Sequence, residues 1–161
     1  FSKLTESGQM LTIILMLIGG SPGSTAGGMK TTTLAVLTAT AVSVFRRNEN
    51  PELFRRRIAP ETVANAASIL MMYLCLCLTG AFLISRIEEL PMMACMFETA
   101  SAVGTVGLSF GITPGLGSIS RIILIILMYL GRVGGLTLIY AALSGHRIRF
   151  GKYPLEKITV G

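Results

Sequence analysis

Two long, uninterrupted apolar segments constrain this chain more than any other feature. They run from Val63 to Ile84 and from Ile119 to Leu143, and each exceeds the ~20 residues that an α-helix needs to cross a bilayer core. Hydrophobic residues make up 52% of the chain and charged residues 14%, whereas soluble domains have roughly 45–50% and about 25%. Residues 63–84 and 119–143 are therefore predicted to be transmembrane helices.

A third apolar segment, from Met10 to Phe45, is interrupted by a Gly-rich run that contains Pro22. Glycine and proline disfavour helix, so the run predicts a break. At membrane depth, non-helical backbone is tolerated only where it is buried in protein or lines a water-filled cavity. Residues 1–45 are therefore predicted to form a broken transmembrane helix with an intramembrane loop at 19–30, and the break indicates a transport path.

A fourth apolar segment, residues 91–103, is too short to span a bilayer as a helix, so it is predicted to be a re-entrant pore helix. The segment after it, residues 104–109, carries the Thr-Val-Gly order that begins the potassium-channel filter motif. An ion filter replaces a hydration shell with backbone carbonyls, and glycine permits the dihedrals that this requires. The predicted filter residues are Gly104, Thr105, Val106 and Gly107, with potassium at the carbonyl oxygens of Thr105, Val106 and Gly107.

Positive charge is concentrated at two places along the chain. Arginines cluster in residues 46–62, between the broken helix and the next helix, and further Arg and Lys residues follow the last helix in residues 146–161. The positive-inside rule places both regions in the cytoplasm, so the linker and the C-terminal tail are predicted to be cytoplasmic.

An internal repeat relates the broken helix to the last helix. The run from Ile13 to Gly19 returns as Ile125 to Gly131, in a register that places Gly20 opposite Arg132. Parallel repeats of this kind suit a central pore. An arginine near the bilayer midplane costs roughly 2.5–3.5 kcal/mol, so Arg132 is expected to face water or a partner. It is predicted either to donate to carbonyls of the Gly-rich loop as part of a gate or to bridge helices away from the pore.

Composition argues against several other classes of protein. The net charge of +6 falls in blocks between apolar runs and is not spread along a face with aromatic residues, so nucleic acid is not an expected partner. The chain has no Asp and a single His, His146, so the usual catalytic triads and multi-His zinc sites lack parts. The three cysteines suggest neither a disulfide framework nor a metal site. We therefore do not expect this protein to be an enzyme or to bind an organic cofactor.

Two alternatives compete with a pore. Residues 23–31 come close to a nucleotide-binding phosphate loop, but Met29 occupies the position that requires lysine. The other alternative is a non-conducting membrane scaffold packed through small residues such as Gly131, Gly134 and Gly135. A scaffold would leave the filter-like segment unexplained.

Three long stretches resemble the ion-conducting subunit of the Trk/Ktr/HKT potassium transporter superfamily, most closely the Ktr type. They are residues 19–33 (GGSPGSTAGGMKTTT), residues 97–109 (FETASAVGTVGLS) and residues 130–134 (LGRVG). The tail sequence YPLEK at residues 153–157 also resembles that family. The resemblance covers essentially the whole chain.

The resemblance implies an all-α membrane protein with four repeats of potassium-channel type around one pore. Each repeat consists of a helix, a re-entrant pore loop and a second helix. Residues 1–45 then form the broken second helix of the third repeat, which acts as the gating helix, and residues 63–145 form the fourth repeat. We expect this chain to be the C-terminal part of such a subunit.

The resemblance also implies a function, a gate and partners. The function is potassium uptake across the cell membrane, with potassium as substrate and sodium as an activating ion. The partners are the lipid bilayer, the remaining repeats of the subunit, a second copy in a homodimer and a cytoplasmic nucleotide-binding regulatory ring. The expected gating residues are Arg132, Gly19, Gly20, Ser21, Gly23, Ser24, Thr25, Gly27, Gly28 and Lys30.

The sequence leaves two side-chain roles open. Lys30 either joins the gate or anchors the loop where it returns to helix. Glu98, inside the predicted pore helix, either braces the filter through hydrogen bonds to backbone amides or pairs with a cation.

Overall fold

The computed structural model describes residues 5–24, 26–47, 51–53 and 56–134. Within these residues the α-helices are α1 Glu6–Leu17, α2 Thr31–Phe45, α3 Pro60–Glu88, α4 Met92–Gly104 and α5 Ser118–Val133, with a 3-10 turn at Thr113–Gly115. Two short strands, β1 Glu52–Leu53 and β2 Arg56–Arg57, pair antiparallel within the Arg-rich linker, which the sequence did not predict. The prediction of a mainly helical protein is confirmed.

Non-helical backbone separates α1 from α2, and part of it pairs with itself. The amide of Gly19 donates to the carbonyl of Met29 at 2.6 Å, and the amide of Met29 donates to the carbonyl of Leu17 at 3.3 Å. The amide of Thr31 donates to the carbonyl of Gly20 at 3.2 Å as α2 begins. These bonds satisfy polar groups that the break in the helix would otherwise leave without backbone partners.

The structure before the Gly-rich run also decides one of the alternatives. A phosphate loop follows a β-strand, whereas here the run follows helix α1, which is capped by Thr5 through a 3.3 Å bond from the amide of Gly8. The phosphate-loop alternative is therefore wrong.

Helix α3 is the described helix that is long and apolar enough to cross a membrane, by its length of 29 residues and its composition. It begins with Pro60 at a position where a missing amide costs nothing, and it ends at Glu88. The described part of α5 has 16 residues and ends at Val133, before Gly134 with a φ of 88°. The remainder of the predicted span 119–143 and the tail 146–161 lie outside the described residues.

Helix α4 lies at the centre of the described structure and packs against α1, α3 and α5. Every residue from Phe97 to Gly104 is buried, and apart from Glu98 these residues are apolar or small, as expected for a helix that is packed on all sides. Glycine permits close packing of the surrounding helices as well. A Cβ added at Gly80 of α3 would lie 2.6 Å from a methyl group of Leu127 in α5.

Candidate functional site

The predicted filter segment begins at the C-terminal cap of α4. The amide of Thr105 donates to the carbonyl of Ala102 at 3.1 Å, and the amide of Val106 donates to the carbonyl of Ser101 at 3.0 Å. This pair of bonds is a Schellman motif, in which the left-handed position is usually glycine. Here it is Thr105, with a φ of 52°, and a β-branched residue in that conformation stores strain of about 1–3 kcal/mol.

The predicted filter residues have different surroundings. Gly104 is the buried last residue of α4, and a Cβ there would lie 2.5 Å from the carbonyl oxygen of Met16 in α1. Val106 is 43% exposed. Gly107 has a φ of 81° and no neighbouring atom within 4 Å of an added Cβ, so its conformation alone requires glycine there.

The Gly-rich loop contacts this segment directly. The amide of Gly27 donates a hydrogen bond of 2.8 Å to the hydroxyl of Thr105. A Cβ on Gly27 would lie 2.5 Å from that hydroxyl and 3.0 Å from the carbonyl oxygen of Gly131 in α5. The loop therefore lies between the end of α4 and α5, at a distance that only glycine permits.

The carbonyl oxygen of Gly131 connects three parts of the structure. It accepts a hydrogen bond from the amide of Gly28 at 3.4 Å and another from the hydroxyl of Tyr73 in α3 at 3.3 Å. A Cβ at Gly131 would lie 2.0 Å from the carbonyl oxygen of Val103. Sequence reasoning did not single out Tyr73, because a tyrosine within an apolar run carries no motif.

Lys30 holds the loop from its C-terminal side. Its ammonium group donates to the carbonyl of Ser24 at 3.1 Å and to that of Ala26 at 2.5 Å, and the Ser24 hydroxyl accepts from the amide of Ala26 at 3.1 Å. These bonds favour the anchoring role for Lys30. The other expected gating residues of this segment, Gly19, Gly20, Ser21, Gly23 and Gly28, lie in the same loop, whereas Thr25 lies outside the described residues.

A cavity of about 930 Å³ brings the predicted groups together. Its walls include Ser24 and Ala26 of the loop, Thr105 and Gly107 of the filter segment, and Arg132 of α5. Ser101, Glu98 and Thr113 also line it. Within the described part of the chain, no cluster of His, Cys or Glu side chains has the arrangement of a metal site.

Glu98 is buried on the wall of this cavity, and its carboxylate accepts hydrogen bonds from residues that follow the filter segment. The donors are the Ser109 hydroxyl at 2.6 Å, the Phe110 amide at 2.9 Å and the Thr113 hydroxyl at 2.9 Å. A bond from a backbone amide belongs to the bracing role rather than the cation-pairing role. The partners lie more than ten positions along the chain, which is why the sequence could not identify them.

Comparison with known proteins gives the family. A family model described as a cation transport protein, TrkH, matches residues 1–147. The chain is 38% identical to the potassium/sodium uptake protein NtpJ of Enterococcus hirae, over 100% of the chain and 37% of that protein. It is 34% identical to the Ktr system potassium uptake protein B of Bacillus subtilis, over 100% of the chain and 36% of that protein.

The Ktr system potassium uptake protein B of Vibrio alginolyticus is 33% identical over 99% of the chain and 35% of its own length. The chain thus spans little more than a third of the relatives that it matches. These findings confirm the resemblance and the expectation that the chain is not an enzyme, since the family is one of cation transporters. The chain belongs to the TrkH family of cation transport proteins.

Proposed function

We propose that this chain forms part of a pore for potassium uptake across the cell membrane. In this proposal, backbone carbonyls at residues 104–107 contribute to the filter, and the loop at 19–30 together with Arg132 forms the gate. The observation that carries the proposal is the contact between the two predicted elements, a 2.8 Å hydrogen bond from Gly27 to Thr105. Thr105 lines the same cavity as Ser24, Ala26 and Arg132. The family and the names of its relatives, which are potassium or potassium/sodium uptake proteins, support the choice of ion.

Helix α4 supplies electrostatic support for a cation. The carboxyl end of a helix carries partial negative charge, worth about 0.3–1 kcal/mol for a nearby cation. In a pore built from several repeats, such helix ends would converge on one ion. Gly107, with a φ of 81°, allows the chain to turn its carbonyls away from the direction set by the helix.

The loop has the composition of a movable plug. Its central part, residues 21–28, consists of small residues and proline. The described hydrogen bonds from these residues to other elements are the bond from Gly27 to Thr105 and a longer bond from Gly28 to the Gly131 carbonyl, while Lys30 bonds to Ser24 and Ala26 within the loop. A segment with few contacts opens at low free-energy cost.

The remaining proposals rest on the family resemblance. We place the protein in the cell membrane with the linker 46–62 and the tail 146–161 in the cytoplasm. The other pore repeats, a second subunit and a cytoplasmic nucleotide-binding ring are the proposed partners, and sodium is the proposed activating ion. The name of the Enterococcus hirae relative includes sodium as well as potassium, so the functional test below measures both ions.

The test is Gly107→Ser in the full-length subunit, expressed in cells that lack their own potassium uptake. Gly115→Ser is a matched control, because neither glycine has an atom within 4 Å of an added Cβ and only Gly107 has a positive φ. We expect Gly107→Ser to weaken apparent potassium affinity or to admit sodium at normal levels of inserted protein, and Gly115→Ser to do neither. Unchanged affinity and selectivity in Gly107→Ser would overturn the filter assignment.

A further inference from the structure

We propose that Glu98 is a positioning residue that sets the selectivity of the pore by fixing the segment that leaves the filter, and that it acts through geometry rather than through charge. The inference rests on the proposed function, because it presumes that residues 104–107 line the ion path. It assigns a role to a side chain that lies outside this segment and outside the gating loop.

The contacts of the Glu98 carboxylate carry the inference. One oxygen accepts from the Ser109 hydroxyl at 2.6 Å and from the Phe110 amide at 2.9 Å, and the other oxygen accepts from the Thr113 hydroxyl at 2.9 Å. The side chain is 4% exposed. Both oxygens are thus engaged by residues 109–113, the return segment that follows the filter segment.

Phe97, the residue before Glu98, also contacts Phe110. The ring of Phe97 is fully buried and packs edge-on against the ring of Phe110, with ring centroids 5.5 Å apart. Helix α4 therefore holds Phe110 by its side chain through Phe97 and by its backbone through Glu98. Both contacts come from one turn of a helix that is packed on several sides, so the anchor itself is rigid.

This anchor determines where the filter segment ends. Residues 105–107 are tied at one end to the cap of α4, through the amides of Thr105 and Val106. At the other end the chain reaches Ser109 and Phe110, which Glu98 holds. The segment between these two attachments contains Gly107, where an added Cβ would meet nothing within 4 Å, and Leu108, which packs against the buried cluster that includes Phe97. Its conformation therefore depends on the attachments at its two ends, and Glu98 supplies the hydrogen bonds at the second.

A second carboxylate, at the end of α3, has a similar arrangement. Glu88 accepts from the amide of Gly117 at 2.8 Å and from the hydroxyl of Ser120 at 2.6 Å. It fixes the far end of the same connection, where α5 begins, and both of these hydrogen-bond partners lie there rather than beside the filter segment. Glu88 is therefore the matched control that separates stabilisation of the whole connection from positioning of the filter.

The experiment measures potassium-over-sodium selectivity of uptake per inserted subunit, in the full-length protein, for three substitutions of Glu98. Glutamine keeps the length of the side chain and an oxygen that can accept from Ser109 and Phe110, while the Thr113 hydroxyl can turn to accept from its amide. Aspartate keeps the charge but withdraws the carboxylate by one methylene. Alanine removes the acceptor altogether.

Positioning by geometry predicts that Glu98→Gln stays within about threefold of the unmodified selectivity, and that Glu98→Asp and Glu98→Ala lose at least about tenfold, equivalent to about 1.4 kcal/mol. Glu88→Ala is expected to change selectivity by less than about twofold. If Glu98→Gln loses selectivity and Glu98→Asp retains it, the charge of the side chain rather than its geometry sets selectivity, and the inference is wrong. An equal loss in Glu88→Ala would overturn it in favour of general loop stability.

Two further variants apply if Glu98→Ala fails to insert. Ser109→Ala and Thr113→Val each remove one hydroxyl that donates to the Glu98 carboxylate, and neither changes a residue of α4. Each is expected to lower potassium-over-sodium selectivity about threefold. No change in either variant would overturn the inference. Comparison with Gly107→Ser separates the two proposals: if Gly107→Ser alters selectivity and the Glu98 set does not, only the role of Glu98 is wrong. If Gly107→Ser has no effect, the filter assignment itself is wrong.

Discussion

The amide of Gly27 and the hydroxyl of Thr105 form a hydrogen bond of 2.8 Å between positions 78 residues apart in the chain. Gly27 belongs to the Gly-rich loop, and Thr105 is the left-handed residue at the cap of α4. A threonine in this conformation is strained, and the bond is one interaction that helps to hold it there. Under the proposed function, the loop and the filter segment therefore cannot move independently.

The first prediction concerns the hydroxyl of Thr105. Thr105→Val keeps the branched shape and removes the acceptor, which leaves the buried amide of Gly27 without this partner at a cost of about 1–3 kcal/mol. We expect the loop to leave its position more often, so that rubidium uptake by the resting protein rises severalfold per inserted subunit.

Thr105→Ser is the control for this prediction, because serine retains the oxygen and loses only the methyl group. It is expected to keep resting uptake much closer to that of the unmodified protein. The same resting flux in Thr105→Val and Thr105→Ser would show that the hydroxyl does not hold the loop.

The second prediction concerns packing at Gly131. A Cβ at this position would lie 2.0 Å from the carbonyl oxygen of Val103, and a backbone atom cannot move aside as a flexible side chain can. Gly131→Ala should therefore push α5 away from α4 and destabilise the protein by about 1–3 kcal/mol. The measurements are the midpoint of thermal unfolding in detergent and the yield of monodisperse protein, and both are expected to fall.

Gly115→Ala tests whether the cost is specific to Gly131, because an added Cβ at Gly115 meets nothing within 4 Å. It is expected to leave the unfolding midpoint unchanged. Equal midpoints for the two alanine variants would mean that α5 and α4 do not pack as closely as the structure has them.

Local sequence was sufficient for the features that depend on local composition. The apolar run from Val63 to Ile84 predicted a helix that extends in the structure from Pro60 to Glu88, and glycine with Pro22 predicted the break before α2. Propensity and hydrophobicity act over neighbouring residues, so these features are readable without knowledge of the fold.

Contacts between distant residues were not readable in this way. The bonds from Gly27 to Thr105 and from Tyr73 to Gly131 join different elements, and no local spacing encodes them. The sequence could name Glu98 but could not choose between its two roles, because the choice depends on which residues the return segment brings alongside it. The roles of the filter and gate residues in ion conduction remain predictions.

Arg132 places a positive charge near the Gly-rich loop. It lines the cavity together with Ser24 and Ala26, and the residue before it, Gly131, accepts a hydrogen bond from the amide of Gly28 at 3.4 Å. A fixed positive charge would repel a passing cation by about 4 kcal/mol at 4 Å for an effective dielectric constant of 20. Loop and arginine would then obstruct the path at one level.

The third prediction is that Arg132→Gln and deletion of residues 20–27 each raise rubidium uptake per inserted subunit, and that the combined variant gains less than the sum of the two. Two parts of one gate must be non-additive, because removing either already opens the same barrier. Arg121→Gln is the matched control: it removes another arginine of α5, one that donates to the carbonyl of Pro114 at 2.8 Å, and should leave flux unchanged. If Arg132→Gln lowers only the amount of inserted protein, or if the two gains add fully, Arg132 is a structural residue and the shared gate does not exist.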